Sequence, residues 1–129
     1  MPNREKRGCC VLVVDDNRDT AESFVRMLCL SGYEAVFITD PRNALSQALA
    51  LKPRIAFLDI GMPHLDGHQL ARMLRANFRE EQLKLVAITG YGSAQDRIES
   101  RKAGFDAHVL KPVDPALVES IMKTVLPES

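Results

Sequence analysis

Short apolar runs recur along this chain, and four of them stop abruptly at a polar or charged residue. Val11 to Val14 runs into Asp15-Asp16-Asn17, Ile55 to Leu58 into Asp59, Leu83 to Ile88 into Thr89, and Ala107 to Leu110 into Lys111-Pro112. An uninterrupted apolar run of this length reads as a strand buried on both faces, the habit of parallel sheets. Burying an unpaired carboxylate is costly, so the terminating residues belong where each strand emerges at its carboxyl end.

Between these runs the apolar residues change to helical spacing. After a first strand over about residues 9–14, Ala21, Phe24, Val25 and Leu28 mark a helix that Ser31-Gly32 ends. A short strand over 34–38 follows, and Asp40-Pro41 supplies a cap and a proline to start the next helix. Ala44, Leu45, Ala48 and Leu49 form its stripe, and Lys52-Pro53 stops it. After the third strand comes a turn-rich loop over 61–67, then a helix with Leu70, Met73 and Leu74. The fourth strand leads to a helix over about 93–103 with only Ala94, Ile98 and Ala103 to bury. After the fifth strand, Asp114-Pro115 repeats the cap-and-proline start, and Leu117, Val118, Ile121 and Val125 form the last stripe. Strand and helix thus alternate five times. A strand-to-strand crossover in a parallel sheet is right-handed and spanned by a helix, and closure into a barrel needs eight units. The pattern predicts an α/β fold, a doubly wound five-stranded parallel sheet in a three-layer α/β/α domain.

The totals narrow the classes. At 129 residues, 46% apolar and 26% charged, this is the composition of one ordinary globular domain. Residues 1–7 read as a flexible N-terminal segment and 8–127 as the domain. Lys plus Arg and Asp plus Glu are both 17, which argues against a nucleic-acid partner and against docking on anionic membranes. No stretch suits a signal peptide or membrane span, so the expected location is cytoplasmic. Cys9, Cys10 and Cys29 are an odd set with no zinc-site spacing, and they are expected to be reduced and mostly packed.

In doubly wound sheets, ligands bind beyond the carboxyl ends of the strands, where the strand order reverses. Asp15 and Asp16 taken alone are either a cation-binding pair or the prelude to a helix cap. With Asp59, Thr89 and Lys111 terminating other strands, the cation reading gains, because several carboxylates near one edge need a counter-charge. At this point the chain resembles a response-regulator receiver domain of two-component signalling. The resemblance rests on Asp15-Asp16, Asp59 followed by Gly-Met-Pro and then Asp66-Gly67, Thr89-Gly90 and Lys111-Pro112, and it spans about residues 9–126.

The resemblance implies a flavodoxin-like strand order 2-1-3-4-5, which makes strands one and three neighbours. It implies that Asp59 is the phosphoacceptor, taking a phosphoryl group from the phosphohistidine of a histidine kinase or phosphotransfer domain. Magnesium or manganese would be held by Asp16 and Asp59 directly, by Asp15 through water, and by the backbone carbonyl of Gly61. Such a hard cation suits oxygen ligands and phosphate. Lys111 would contact the phosphoryl oxygens, its peptide bond to Pro112 being cis. Thr89 would swing in as the switch, and an unidentified downstream protein would read the result. No chemistry beyond the chain's own phosphorylation and dephosphorylation is expected.

Two positions depart from the family pattern. His108 stands three residues before Lys111, where many receivers carry Tyr or Phe as a partner of the threonine. An imidazole is smaller than a phenol and titrates near neutrality. Tyr91, two residues after Thr89, sits where it can screen the phosphoryl group from water, whereas Gly61 leaves that approach open. Asp66 is expected to shape the loop and cap the third helix, and His64 and His68 to be exposed. Arg97 and Arg101 fall one turn apart on the fourth helix, whose thin apolar stripe suits either an element that moves or a short solvated helix. No output domain is expected after the last helix, which leaves a stand-alone receiver, a regulator working through protein contact and a receiver from a larger hybrid histidine kinase. The stretch Thr-Gly-Tyr-Gly with Gly-Phe-Asp-Ala-His-Val-Leu-Lys-Pro-Val-Asp looks most like the last of these. Two other classes compete. A phosphatase of the haloacid-dehalogenase type wants Asp-x-Asp, but Gly61 stands two after Asp59. A flavin or other cofactor binder wants a phosphate-cradling loop after strand one, where Asp15-Asp16 would repel phosphate.

Overall fold

The computed structural model describes residues 11–61, 67–90 and 94–125. Among them run β1 (Val11–Val14), α1 (Arg18–Leu30), β2 (Ala35–Ile38), α2 (Ala44–Leu51), β3 (Ile55–Asp59), α3 (Gly67–Asn77), β4 (Lys84–Thr89), α4 (Ala94–Ala103), β5 (Ala107–Leu110) and α5 (Pro115–Val125). A 3₁₀ turn at Pro41–Asn43 leads into α2, with Asp40 accepting from the Arg42 N–H as its cap.

The strands form one parallel sheet in the order β2-β1-β3-β4-β5. The expected topology and strand order are therefore what the chain adopts. Side chains alternate across the sheet, which divides the core in two. Leu12, Val14, Ala56, Leu58, Leu85 and Ala87 face α2, α3 and the end of α4. Val11, Val13, Ile55, Phe57, Val86, Ile88 and Val109 face α1 and α5. Phe24 of α1 lies tilted on Phe57, their ring centroids 4.9 Å apart. Burying a side chain of this size from water contributes roughly 1.5–3 kcal/mol, and the two central strands β1 and β3 are buried along their whole length.

Helical phase corrects several assignments. Buried Ala21, Phe24 and Leu28 set the inner face of α1, and Cys29, about 100° past Leu28, is an exposed free thiol rather than a packed one. Leu49, Met73, Ile98 and Leu117 are likewise exposed. On α5 the inner positions are Val118 and Met122, four residues apart. On α3 they are Leu70, Ala71 and Leu74. The expected first-strand residues Cys9 and Cys10, and the segment 1–7, lie outside the described residues. No helix among the described residues is long and apolar enough to cross a membrane.

Candidate functional site

The strand register lines up the four terminating residues. Val14 of β1 pairs with Leu58, so Asp15 and Asp59 follow at the same edge, and Thr89 of β4 pairs with Leu110, just before Lys111. The carboxylates of Asp15, Asp16 and Asp59 converge, each offering an oxygen within 4.8 Å of the others. Asp15 and Asp59 are buried, and Asp16 is exposed.

Each carboxylate is fixed by its local backbone. The Asn17 N–H donates to Asp15 Oδ1 at 2.9 Å. Asn17, and not Asp16, caps α1, its side-chain oxygen accepting from the Thr20 N–H at 3.0 Å. The capping role therefore costs the cluster no carboxylate. Asp59 is held on both oxygens: the Gly61 N–H donates to Oδ1 at 3.0 Å, and Lys111 Nζ donates to Oδ2 at 3.1 Å. The lysine is delivered by a backbone bond from its own N–H to the Thr89 carbonyl at 2.9 Å, and the Lys111-Pro112 peptide is cis.

Burial pushes the Asp15 carboxyl up to about 6 from an ordinary 3.8. The negative charges of Asp59 and Asp16 push the same way, against the Asn17 N–H and the Lys111 ammonium. One lysine among three carboxylates leaves the cluster short of positive charge, and an all-oxygen donor set of this spacing fits a hard divalent cation.

Gly67 shapes the floor of the site. A Cβ there would lie 2.7 Å from the Ile60 Cα and 3.0 Å from the Asp59 carbonyl oxygen, so the start of α3 packs directly on the backbone behind the Asp59 carboxylate. A cavity of about 380 Å³ opens over this floor, lined by Asp59, Ile60, Gly61, His68, Thr89, Gly90 and Lys111. A second groove, of about 500 Å³, starts at Asp15 and Lys111. It runs between α1 and the turn into α5, past Phe24, Met27, Pro112 and Val113.

Most of the residues singled out in the sequence meet here: Asp15, Asp16, Asp59, Gly61, Thr89 and Lys111. His108 does not line the cavity; it sits half-buried in mid-β5, in register with Ala87. Tyr91, His64 and Asp66 lie outside the described residues, as does the side chain of Arg97. His68, expected to be exposed, is instead half-buried in the cavity wall. Its Nε2 lies 3.0 Å from the hydroxyl of Ser100 on α4. The sequence carried no signal for this pairing, because a serine in a polar helix reads as solvated.

Known proteins share this fold. The sequence model of the response regulator receiver domain matches residues 11–123. The transcriptional regulatory protein PrrA of Mycobacterium tuberculosis is 35% identical over 116 residues, which is 90% of this chain and 49% of that protein. The chain spans about half the length of the curated relatives it matches first, from 43% to 49% of each. A CheY-like response regulator receiver domain protein from Methanospirillum hungatei superposes with a TM-score of 0.81 at 28% identity, over 90% of this chain and 92% of that one. The chemotaxis protein CheY4 of Vibrio cholerae shares the fold, with a TM-score of 0.85 at 24% identity over 92% and 98%. By sequence model, fold and strand order together, the chain belongs to the response regulator receiver domain family.

Proposed function

We propose that this receiver accepts a phosphoryl group on Asp59 from a phosphohistidine, and that Asp15, Asp16, Asp59 and the Gly61 carbonyl hold the magnesium ion the transfer requires. The single observation that carries this reading is the convergence on Asp59. It is buried, pinned on both oxygens by Gly61 and Lys111, and within 4.8 Å of two further carboxylates.

The acceptor carboxylate attacks phosphorus while the bond from phosphorus to the donor imidazole nitrogen breaks, and the imidazole leaves carrying that electron pair. Nucleophile and phosphoryl group are both anionic, so the demand on the protein is positioning and charge compensation. Magnesium, when bound, supplies compensation for the phosphoryl oxygens. Lys111 supplies a compact positive charge from the other side. Its ion pair with Asp59 holds the ammonium beside the position the new oxygens take. Thr89, buried at the end of β4 in the same cavity, is placed to hydrogen-bond one of those oxygens. The modified aspartate adds about two negative charges and three acceptors, which is the driving force for a switch. The groove that starts at Asp15 and Lys111 supports docking of the donor there, because both residues border the acceptor.

The test is incubation with magnesium and acetyl phosphate followed by intact mass. One added phosphoryl group is expected, not formed when the metal is chelated before the donor is added and absent in Asp59→Asn. Retention of the added mass in Asp59→Asn overturns the assignment.

A further inference from the structure

Among the described residues the buried polar side chains are Asp15, Asp59, Thr89 and Ser100. The first three stand at the carboxyl edge of the sheet. Ser100 lies in the body of α4, fully buried, and meets His68 Nε2 at 3.0 Å. Depending on the imidazole tautomer, the ring N–H donates to the hydroxyl or the hydroxyl donates to the ring nitrogen. The same ring packs edge-on against buried Phe105, just after α4, with centroids 6.1 Å apart and planes at 75°. Its own helix, α3, starts on the backbone of Asp59 and Ile60 through Gly67, and its ring lines the cavity that holds Asp59, Thr89 and Lys111. One imidazole therefore touches both the acceptor's cavity and α4.

Over its described side chains, residues 98–103, the helix it touches is thinly anchored. Ile98 is 49% exposed, and of the described side chains of α4 only Ser100 and Ala103 are buried. An element with few apolar contacts sits at the low end of local stability, so one buried hydrogen bond is a large share of what holds it. With the proton on Nε2, that N–H donates to Ser100, and a dianion placed in the cavity attracts it and competes with the hydroxyl.

We propose that His68 is a positioning residue that couples the acceptor cavity to α4. Its bond to Ser100 holds the helix while Asp59 is unmodified, and a phosphoryl group on Asp59 loosens that hold. The inference rests on the phosphoacceptor reading of Asp59.

The experiment measures amide hydrogen exchange over residues 94–103, with and without magnesium and acetyl phosphate, in the full chain and in His68→Leu, Ser100→Ala and the double variant. Alanine is the best helix former, so Ser100→Ala keeps the helix. In the unmodified full chain α4 is expected to be protected and to exchange about fivefold faster once phosphorylated. In each single variant it exchanges at the faster rate before phosphorylation, and phosphorylation adds little. The double variant is no faster than either single one, because both remove the same bond. A merely structural contact predicts a different result, in which the variants speed exchange in both states and keep the phosphorylation-dependent ratio. That outcome, or an α4 that does not respond in the unmutated chain, overturns the coupling. No mass gain on Asp59 overturns the acceptor reading itself; a normal mass gain with an unchanged ratio overturns the coupling alone.

Discussion

Lys111 Nζ and Asp59 Oδ2 lie 3.1 Å apart although their strands are not neighbours: β4 stands between β3 and β5. The lysine side chain is 40% exposed and the aspartate nearly closed off, so the pair is open to water on one side. Half-open ion pairs contribute little to stability, typically under about 1 kcal/mol. The arrangement therefore belongs to the chemistry more than to the fold. Lys111→Ala is expected to leave the urea midpoint almost unchanged while slowing acetyl phosphate labelling by about 10²–10³-fold. A large loss of stability with near-normal labelling would reverse that assignment.

Asp15 is the opposite case. Its carboxyl titrates near 6 in the folded chain against 3.8 as its ordinary value, chiefly because it is buried. The folded state thus holds the proton more tightly than the unfolded state. The stability this group contributes is full below pH 3.8 and is lost as pH rises through 6. In the metal-free protein at pH 7 the ionised carboxylate is therefore a net cost to stability. Asp15→Asn keeps an acceptor for the Asn17 N–H and removes that cost. Melting curves in chelator between pH 4 and 7 should show the variant gaining on the parent as pH rises. An equal pH slope for the two proteins contradicts the assignment.

Magnesium should reverse the order of those two proteins. A ligand bound only by the folded state adds about 2.7 kcal/mol at a hundred times its dissociation constant. The parent is expected to gain stability on adding magnesium, and Asp15→Asn to gain far less, since it lacks one of the three converging carboxylates. Parallel thermal melts with and without the metal decide it.

Gly67→Ala tests the floor of the cavity. The new methyl would meet the Ile60 Cα and the Asp59 carbonyl oxygen, both backbone atoms that cannot rotate away. Overpacking of this kind costs about 1–3 kcal/mol, and the upper end is expected here. Because the displaced backbone carries Asp59, labelling should fall as well. Denaturation together with intact-mass labelling separates the two effects, and unchanged values in both would show that α3 moves aside freely.

Arg75 provides the matching control at the far edge of the sheet. Its guanidinium donates to the carbonyls of Leu83 and Gly104, at 2.8 and 3.0 Å, and pairs with Asp106, which also accepts from the Leu85 N–H. Hydrogen bonds involving a charged group contribute about 1.5–3 kcal/mol each when removal strands a partner. Arg75→Ala should therefore lose a few kcal/mol while its folded fraction takes up magnesium and phosphoryl groups normally. Impaired metal binding in the folded variant would mean that the two edges are not independent.

Much of this organisation was legible in the residues themselves. The strands declared themselves by short, mostly apolar runs, unbroken in β1 and up to Asp59 in β3, and the alternation with helices dictated a parallel sheet. The site was legible for the same reason: Asp15, Asp59, Thr89 and Lys111 each interrupt an apolar run where burial makes a polar residue expensive. What escaped was set by contacts between elements. Helix phase is hard to fix when apolar residues occur on both sides, as in α5, where the spacing places Leu117 inward and the structure buries Met122. The His68–Ser100 pair joins two helices 32 residues apart, and neither residue breaks a pattern in its own segment. The Arg75 network was invisible too, since an arginine late in an amphipathic helix looks like any solvated cation.

The strand order has a consequence for when the acceptor becomes competent. β1 brings Asp15, β3 brings Asp59 and β4 brings Thr89, but the ammonium that pairs with Asp59 arrives only with the turn after β5. During synthesis the ribosome must release nearly the entire domain before the two ends of this ion pair can meet. Until then a partly folded chain can expose its aspartate without the group that compensates it. If Asp59 is the phosphoacceptor proposed above, the position of one lysine in the order of translation delays its labelling until the domain is nearly whole.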